Sequence, residues 1–174
     1  MYQRILVPID GSTTASRGLD EAIELAGLTH ASMRLIHVVD QLSYAVGFDA
    51  YAAYDPEILV QVRQAGKQML EQGRARVAAA GVPVDVLLVD SMASRLSEIV
   101  VEQAKSWGAD LIVIGTHGRR GVGRLLLGSD AEQIVRVAPV PVLLVRAAPA
   151  TSSDAGSGAK AGDEARSSSV VAVV

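Results

Sequence analysis

Asp110-Leu-Ile-Val-Ile-Gly115-Thr-His-Gly118-Arg-Arg-Gly121-Val-Gly123-Arg-Leu-Leu-Leu-Gly128-Ser129-Asp130 is the stretch on which the reading of this chain turns. A short run of branched aliphatic residues ends in a glycine. Four more glycines then punctuate the connection, and a helical pattern begins at Ser129 with Ala131, Ile134, Val135 and Ala138 on one side, stopped by Pro139. Strand, glycine-rich turn and helix N-terminus in that order are one unit of an α/β sheet.

Outward from this unit the same rhythm repeats. Arg4–Ile9, Met33–Val39, Val84–Val89, Leu111–Gly115 and Val140–Val145 are short and nearly continuous in Val, Ile and Leu. Runs that do not alternate with polar residues suit strands covered on both faces, as in a parallel sheet. Helical spacing fills the gaps. Ala15, Leu19, Ala22, Ile23 and Ala26 share one face, with Ser12 as N-cap and Gly27 as the expected stop. Asp55-Pro56-Glu57 opens a second helix, because proline fits its first turn and the carboxylate complements the dipole. That helix carries Leu59, Val62, Met69, Val77 and Ala80 and ends at Gly81. A third is expected from Ala93 to Trp107. The resulting β-α-β-α-β-α-β-α-β order predicts an open parallel sheet with helices on both faces.

Composition bounds what such a domain does. The chain has 174 residues, 49% hydrophobic and 20% charged, with only 3% aromatic, so its core is aliphatic. A formal net charge of -3 does not suit electrostatic binding of nucleic acid. Absence of cysteine excludes disulfides, thiolate nucleophiles and zinc–cysteine sites. Apolar runs stay well short of the ~20 residues that cross a bilayer, and no signal segment precedes the first strand, so the expected location is the cytoplasm.

Two segments interrupt the pattern. Gln41–Asp55 holds Tyr44, Phe48, Tyr51 and Tyr54 and reads as a long surface loop whose aromatics patch the core edge, or as a lid. From Pro149 onward the chain is Ala, Ser, Gly and charge, and residues 149–174 read as a disordered tail after a domain spanning 1–148. A terminal valine cluster, Val170–Val174, is the one apolar feature of that tail.

The glycine loop is the place for chemistry. Backbone N–H groups at a helix start point toward an incoming anion, and the helix dipole favours negative charge there. Glycines let the backbone approach phosphate oxygens with no Cβ in the way. Ser129 adds a hydroxyl, while Arg119, Arg120 and Arg124 can neutralise phosphate charge. The Walker pattern is missing, since the loop has no lysine, and no Gly-x-Gly-x-x-Gly follows the first strand. On spacing alone, a nucleotide-phosphate loop and a plain strand-to-helix connection both remain open. Among the histidines, His37 reads as a satisfied core residue, His30 as solvated and His117 as a loop residue. No Ser-His-Asp set or carboxylate pair falls where the fold would join it, so there is no catalytic assignment.

Gly115, Gly118, Gly128 and Ser129 meet the Gly-x2-Gly-x9-Gly-Ser/Thr spacing of the ATP-binding universal stress proteins. Ile5-Leu6-Val7-Pro8-Ile9-Asp10-Gly11-Ser12, His37-Val38-Val39-Asp40 and Ala138-Pro139-Val140-Pro141-Val142 also resemble that family's strand ends, so the resemblance covers about Met1 to Arg146. It implies a five-stranded parallel sheet of order 3-2-1-4-5, Rossmann-like, in which Asp10 and Gly115 flank one crevice. It further implies a resident ATP with Mg2+, held by Pro8, Asp10, Val38, Ile114, Gly115, Gly118, Arg119, Gly128, Ser129 and Asp130. Asp130 departs from the small or hydroxyl residue common there, and a carboxylate pointing inward would repel phosphate, so it is expected to point outward. The implied role is a nucleotide-binding regulator of the stress response. A slow ATPase or nucleotidyl transferase, and a dimeric interaction module without nucleotide, are its rivals. The strand 140–145 is expected to be a free sheet edge and hence the seam of a homodimer.

Overall fold

The computed structural model describes residues 1–40, 56–92, 94–116, 127–146 and 170–173. The expectations for the loop Gln41–Asp55, for residues 117–126 and for 147–169 lie outside these described residues.

Strand β1 (Arg4–Pro8) leads into helix α1 (Thr13–Thr29), followed by β2 (Ser32–Asp40) and α2 (Pro56–Ala79). Then come β3 (Val84–Ser91), α3 (Leu96–Trp107), β4 (Leu111–Gly115), α4 (Ser129–Val137), β5 (Val142–Val145) and β6 (Val170–Val173). The sheet runs β3-β2-β1-β4-β5-β6, with the first five strands parallel. The order 3-2-1-4-5 is therefore as expected. β1 sits between β2 and β4, in register Val7↔Leu35 on one side and Leu6↔Ile112 on the other.

Alternation along each strand divides the core in two. Ile5, Val7, Met33, Leu35, Leu111 and Val113 face α1 and α2, where Leu19, Ala22, Ala26, Leu70 and Val77 cover them. Leu6, Ile36, Ile112, Ile114, Val142 and Leu144 face α3 and α4, beneath Ile99, Val100, Ala104, Ala131 and Ile134. The near-continuous apolar runs are thus explained: both faces are dry. Each fully buried Leu or Ile contributes about 1.5–3 kcal/mol relative to exposure. At the sheet's N-terminal end, the Asp110 carboxylate accepts from Gln3 N–H (2.7 Å) and Arg4 N–H (3.0 Å), fastening β1 to the turn before β4.

Three boundaries differ from the sequence reading. Helix α1 passes Gly27 and runs to Thr29, where His30 takes the left-handed conformation (φ 56°) and closes it. One glycine near a helix end costs about 1 kcal/mol, and the turn is held past it by Thr29 Oγ1, which donates to the Leu25 carbonyl at 2.8 Å; His30 is exposed as expected. Helix α3 starts at Leu96 rather than Ala93, because Ser91 Oγ accepts from Ser94 N–H (3.1 Å) and donates to the Ser94 carbonyl (3.0 Å), holding a turn. Glu98 then accepts from Arg95 N–H at 3.2 Å.

The third difference concerns the C-terminus. Residues 170–173, read as part of a disordered tail, form β6, antiparallel to β5, with Leu143↔Val173 and Leu144↔Ala172 in register. The expected free edge at 140–145 is therefore occupied by the chain's own last strand. A short Val-rich segment satisfies β5's outer backbone groups well, but five residues carry too little periodicity to announce a strand.

Candidate functional site

β1 and β4 are neighbours, and their C-terminal ends open into turns on the same rim of the sheet. After β1, Ile9 N–H donates to the Ile36 carbonyl (2.9 Å), which carries the strand's pairing one residue past Pro8. The chain then turns on Gly11, whose φ of 80° suits glycine. Asp10 Oδ1 accepts from Ser12 N–H at 2.9 Å, and Ser12 Oγ accepts from Ala15 N–H at 3.1 Å, capping α1. Ser12 and Thr14 hydroxyls meet at 3.2 Å. Asp10 therefore holds the turn in shape, half-buried at its mouth.

That turn lies directly against the end of β4. A Cβ built on Gly115 would stand 2.6 Å from the Thr14 carbonyl carbon, 2.8 Å from its oxygen and 2.9 Å from Ala15 N. One on Gly18 would touch Gly115 N at 3.4 Å. Two glycines, one on a strand and one inside a helix, thus let α1 settle on β4 at backbone-to-backbone distance. Thr14 and Gly18 escaped the sequence reading. The available signal was a glycine in the middle of a helical pattern, which often marks close packing.

Beyond Gly115 the loop has a closed neck. Thr116 N–H donates to the Val145 carbonyl (2.9 Å), and the Thr116 carbonyl accepts from Gly128 N–H (2.8 Å). The two ends of the glycine loop are therefore tied together beside β4 and β5. Gly128 is the N-cap of α4 in extended conformation (φ -60°, ψ 146°), and as a glycine it offers the first turn no side-chain cap. Gly128 spends its N–H on the Thr116 carbonyl. The amides of Ser129, Asp130 and Ala131 follow it in the first turn of α4.

Val38 and Ile114 belong to the same apolar cluster, on the face under α3 and α4. By strand alternation Pro8 shares that face with Leu6. Pro8, Val38, Ile114 and Gly115 thus converge on the rim that Asp10 and the start of α4 also border, with Ser129 and Asp130 exposed. Gly118 and Arg119 lie outside the described residues. His37 points to the opposite face, where its Nδ1–H donates to the Ile9 carbonyl at 2.8 Å; it is a buried, satisfied core residue. On the outer rim, Arg63 of α2 reaches Asp90 at the end of β3 (2.8 Å), and that hydrogen bond, then the charge of Asp90, raises the guanidinium above its ordinary value. Among the described residues no three His, Asp or Glu side chains cluster in a way that could hold a metal ion. None of the described helices is long and apolar enough to cross a membrane.

The arrangement supplies helix-start amides and a short apolar wall on one rim, next to a half-buried carboxylate. Comparison with known proteins gives this rim a context. Residues 1–146 match the universal stress protein family. Universal stress protein A homolog 2 of Coxiella burnetii is 34% identical over 147 residues, covering 83% of this chain and 95% of that one. A solved universal stress family protein from Burkholderia pseudomallei is 39% identical, covers 84% of this chain and 97% of its own, and superposes with a TM-score of 0.67. A universal stress protein solved in complex with cAMP is 25% identical over 83% of this chain and 97% of its own, with a TM-score of 0.57. In sequence and in fold, this chain belongs to the universal stress protein family.

Proposed function

We propose that the protein is an ATP-binding regulator of the stress response, acting in the cytoplasm, with its nucleotide across the C-terminal ends of β1 and β4. The observation that supports the reading is the closed neck: Gly128 N–H on the Thr116 carbonyl holds the start of α4 next to the residue that follows Gly115, and Gly115 lies against the backbone of Thr14. Phosphates placed at the first turn of α4 gain the amides of residues 129–131 and the positive end of the helix dipole. Adenine takes the apolar wall of Val38 and Ile114, and ribose sits near Asp10. Gly118 and Arg119 complete the phosphate cradle from within the loop. A family member crystallised with cAMP supports an adenine nucleotide in this class of site.

Mg2+ fits this site only as a phosphate-borne ion. The described residues offer no ready-made cage, and magnesium commonly keeps its waters, taking one or two carboxylates plus phosphate oxygens. Asp10 is the carboxylate at the mouth, its Oδ1 accepting from Ser12 N–H. Asp130 is exposed at the helix start, on the N-terminal turn where its charge complements the dipole.

The first test needs no assumption about which nucleotide is resident. Protein purified without added nucleotide is denatured, and the released small molecules are identified by mass spectrometry. The expected result is ATP or another adenine nucleotide, in amounts approaching one per chain. Release of a non-nucleotide ligand would overturn the proposal.

A further inference from the structure

We propose that His37 is a positioning residue for the nucleotide site: from the buried face of β2 it holds the end of β1 in place, and with it the Asp10 turn at the mouth. The binding half of this proposal rests on the nucleotide reading above, while the positioning half stands apart from it.

The residues of β2 that face α1 and α2 are Met33, Leu35, His37 and Val39, all buried. Three are apolar and one is an imidazole. A polar ring in a dry core costs free energy unless its donor finds an acceptor. That acceptor is the Ile9 carbonyl, 2.8 Å from Nδ1. A carbonyl oxygen only accepts, so Nδ1 carries the proton and the hydrogen bond selects that tautomer.

Ile9 is the point at which β1 leaves the sheet. The register Pro8↔Ile36 sets His37 directly across from it. Ile9 N–H donates to the Ile36 carbonyl at 2.9 Å, and its own carbonyl receives the imidazole. Both backbone groups of Ile9 are thus held by consecutive residues of β2. The peptide unit from Ile9 to Asp10 is planar, so fixing the Ile9 carbonyl also fixes the direction from which Asp10 departs. The turn follows from there: Asp10 Oδ1 accepts from Ser12 N–H at 2.9 Å, and Ser12 Oγ caps α1. A carboxylate that meets a ligand must be held closely in place by the groups behind it. For Asp10 that support begins at a ring on the buried side of the sheet.

Helix α2 braces the ring from behind. A Cβ built on Gly66 would stand 2.7 Å from His37 Cδ2, 3.3 Å from its Nε2 and 2.9 Å from Leu88 Cδ1. Glycine is a poor residue for a helix interior, and here it makes room for the imidazole. Further along the same helix Gly73 does this for Leu35, whose Cδ1 lies 2.8 Å from the added Cβ. The helix backbone therefore rests on β2 at these two places, one of them the ring that holds Ile9.

The test uses the full-length chain with His37→Asn, His37→Gln and His37→Leu. Asparagine carries its amide nitrogen as many bonds from Cα as Nδ1, so it restores the donor; glutamine places it one bond further, and leucine has none. Without ligand, exchange of the Ser12 amide is expected to quicken about tenfold in the glutamine and leucine variants and to keep the parent's rate in the asparagine variant, as loosening of one local turn requires. ATP affinity by calorimetry should follow the same order. It should fall about tenfold with glutamine or leucine, the scale of one hydrogen bond, and stay within about threefold of the parent with asparagine. Ring 15N spectra of the parent should show Nδ1 protonated at neutral pH, a measurement that needs no variant to fold. An unprotonated Nδ1 would overturn the proposal, as would unchanged Ser12 exchange in all three variants. So would an asparagine variant as impaired as the leucine one, because the ring would then act by filling space. Equal ATP affinity in parent and variants would overturn it while leaving the nucleotide reading intact. A parent that binds no ATP would instead defeat that reading, and the Ser12 exchange rates would decide for or against His37.

Discussion

Replacing Gly115 with alanine is expected to destabilise the domain by about 3 kcal/mol, at the upper end of the usual cost of overpacking. The added methyl would stand 2.6 Å from the Thr14 carbonyl carbon and 2.9 Å from Ala15 N. These are backbone atoms of the first turn of α1, which cannot rotate away as a side chain would. Relief requires the helix to lift from β4, and that loosens Leu19 and Ala22 in the core beneath it. Urea unfolding measures the effect: the midpoint should fall while the slope holds, as for a change in stability alone. Gly27→Ala is the matched control. No atom lies within 4 Å of its added Cβ, and alanine is the better helix former by up to about 1 kcal/mol. That variant should be neutral or slightly more stable. Equal midpoints for Gly115→Ala and the parent would show that α1 does not rest on β4 as described. Because the Asp10–Thr14 turn moves with α1, Gly115→Ala should also weaken nucleotide binding.

The second large effect is expected to fall on binding with little change in stability. Gly128→Val introduces a branched side chain at the N-cap of α4, where phosphate must approach the amides of residues 129–131. Its backbone angles, φ -60° and ψ 146°, are open to any residue, and the N–H bonded to Thr116 is retained. Stability should therefore stay within about 1 kcal/mol, whereas ATP affinity should fall at least ~100-fold, equivalent to about 2.7 kcal/mol. Gly118→Val, within the loop, should behave in the same way. Calorimetric titration of the variants beside the parent decides it, and equal affinities would refute the assigned role of these glycines.

What was legible in the sequence depends on the range over which each signal acts. The parallel sheet was legible because two dry faces demand apolar residues at every position of Ile5–Val7 or Leu111–Ile114, a local pattern. Strand order is not local. Periodicity alone left it open, and the family resemblance supplied it, after which the β1–β4 contact followed. Within the site, Asp10, Val38, Ile114 and Gly115 stand out as strand-end residues, but the part played by Thr14 and Gly18 becomes visible only when α1 lies across β4. Gly128 illustrates the same limit at the level of one atom. Its place in the motif was legible, yet the partner of its N–H, Thr116, is fixed by how the loop closes. β6 was hidden for a different reason: four residues of valine and alanine gain their structure from the edge they meet, and that edge lies far away in the sequence.

Where the nucleotide sits is a question of location, so the decisive measurement is a map. Amide resonances of the full-length 15N-labelled protein are recorded while ATP and Mg2+ are added. Shifts are expected at Asp10–Ser12, Val38, Ile114–Thr116 and Ser129–Ala131, with the far end of the sheet around Gln3, Arg34 and Asp110 unmoved. Saturating ATP that leaves the β1 and β4 rim unshifted, or that shifts a different surface, would contradict the proposed site.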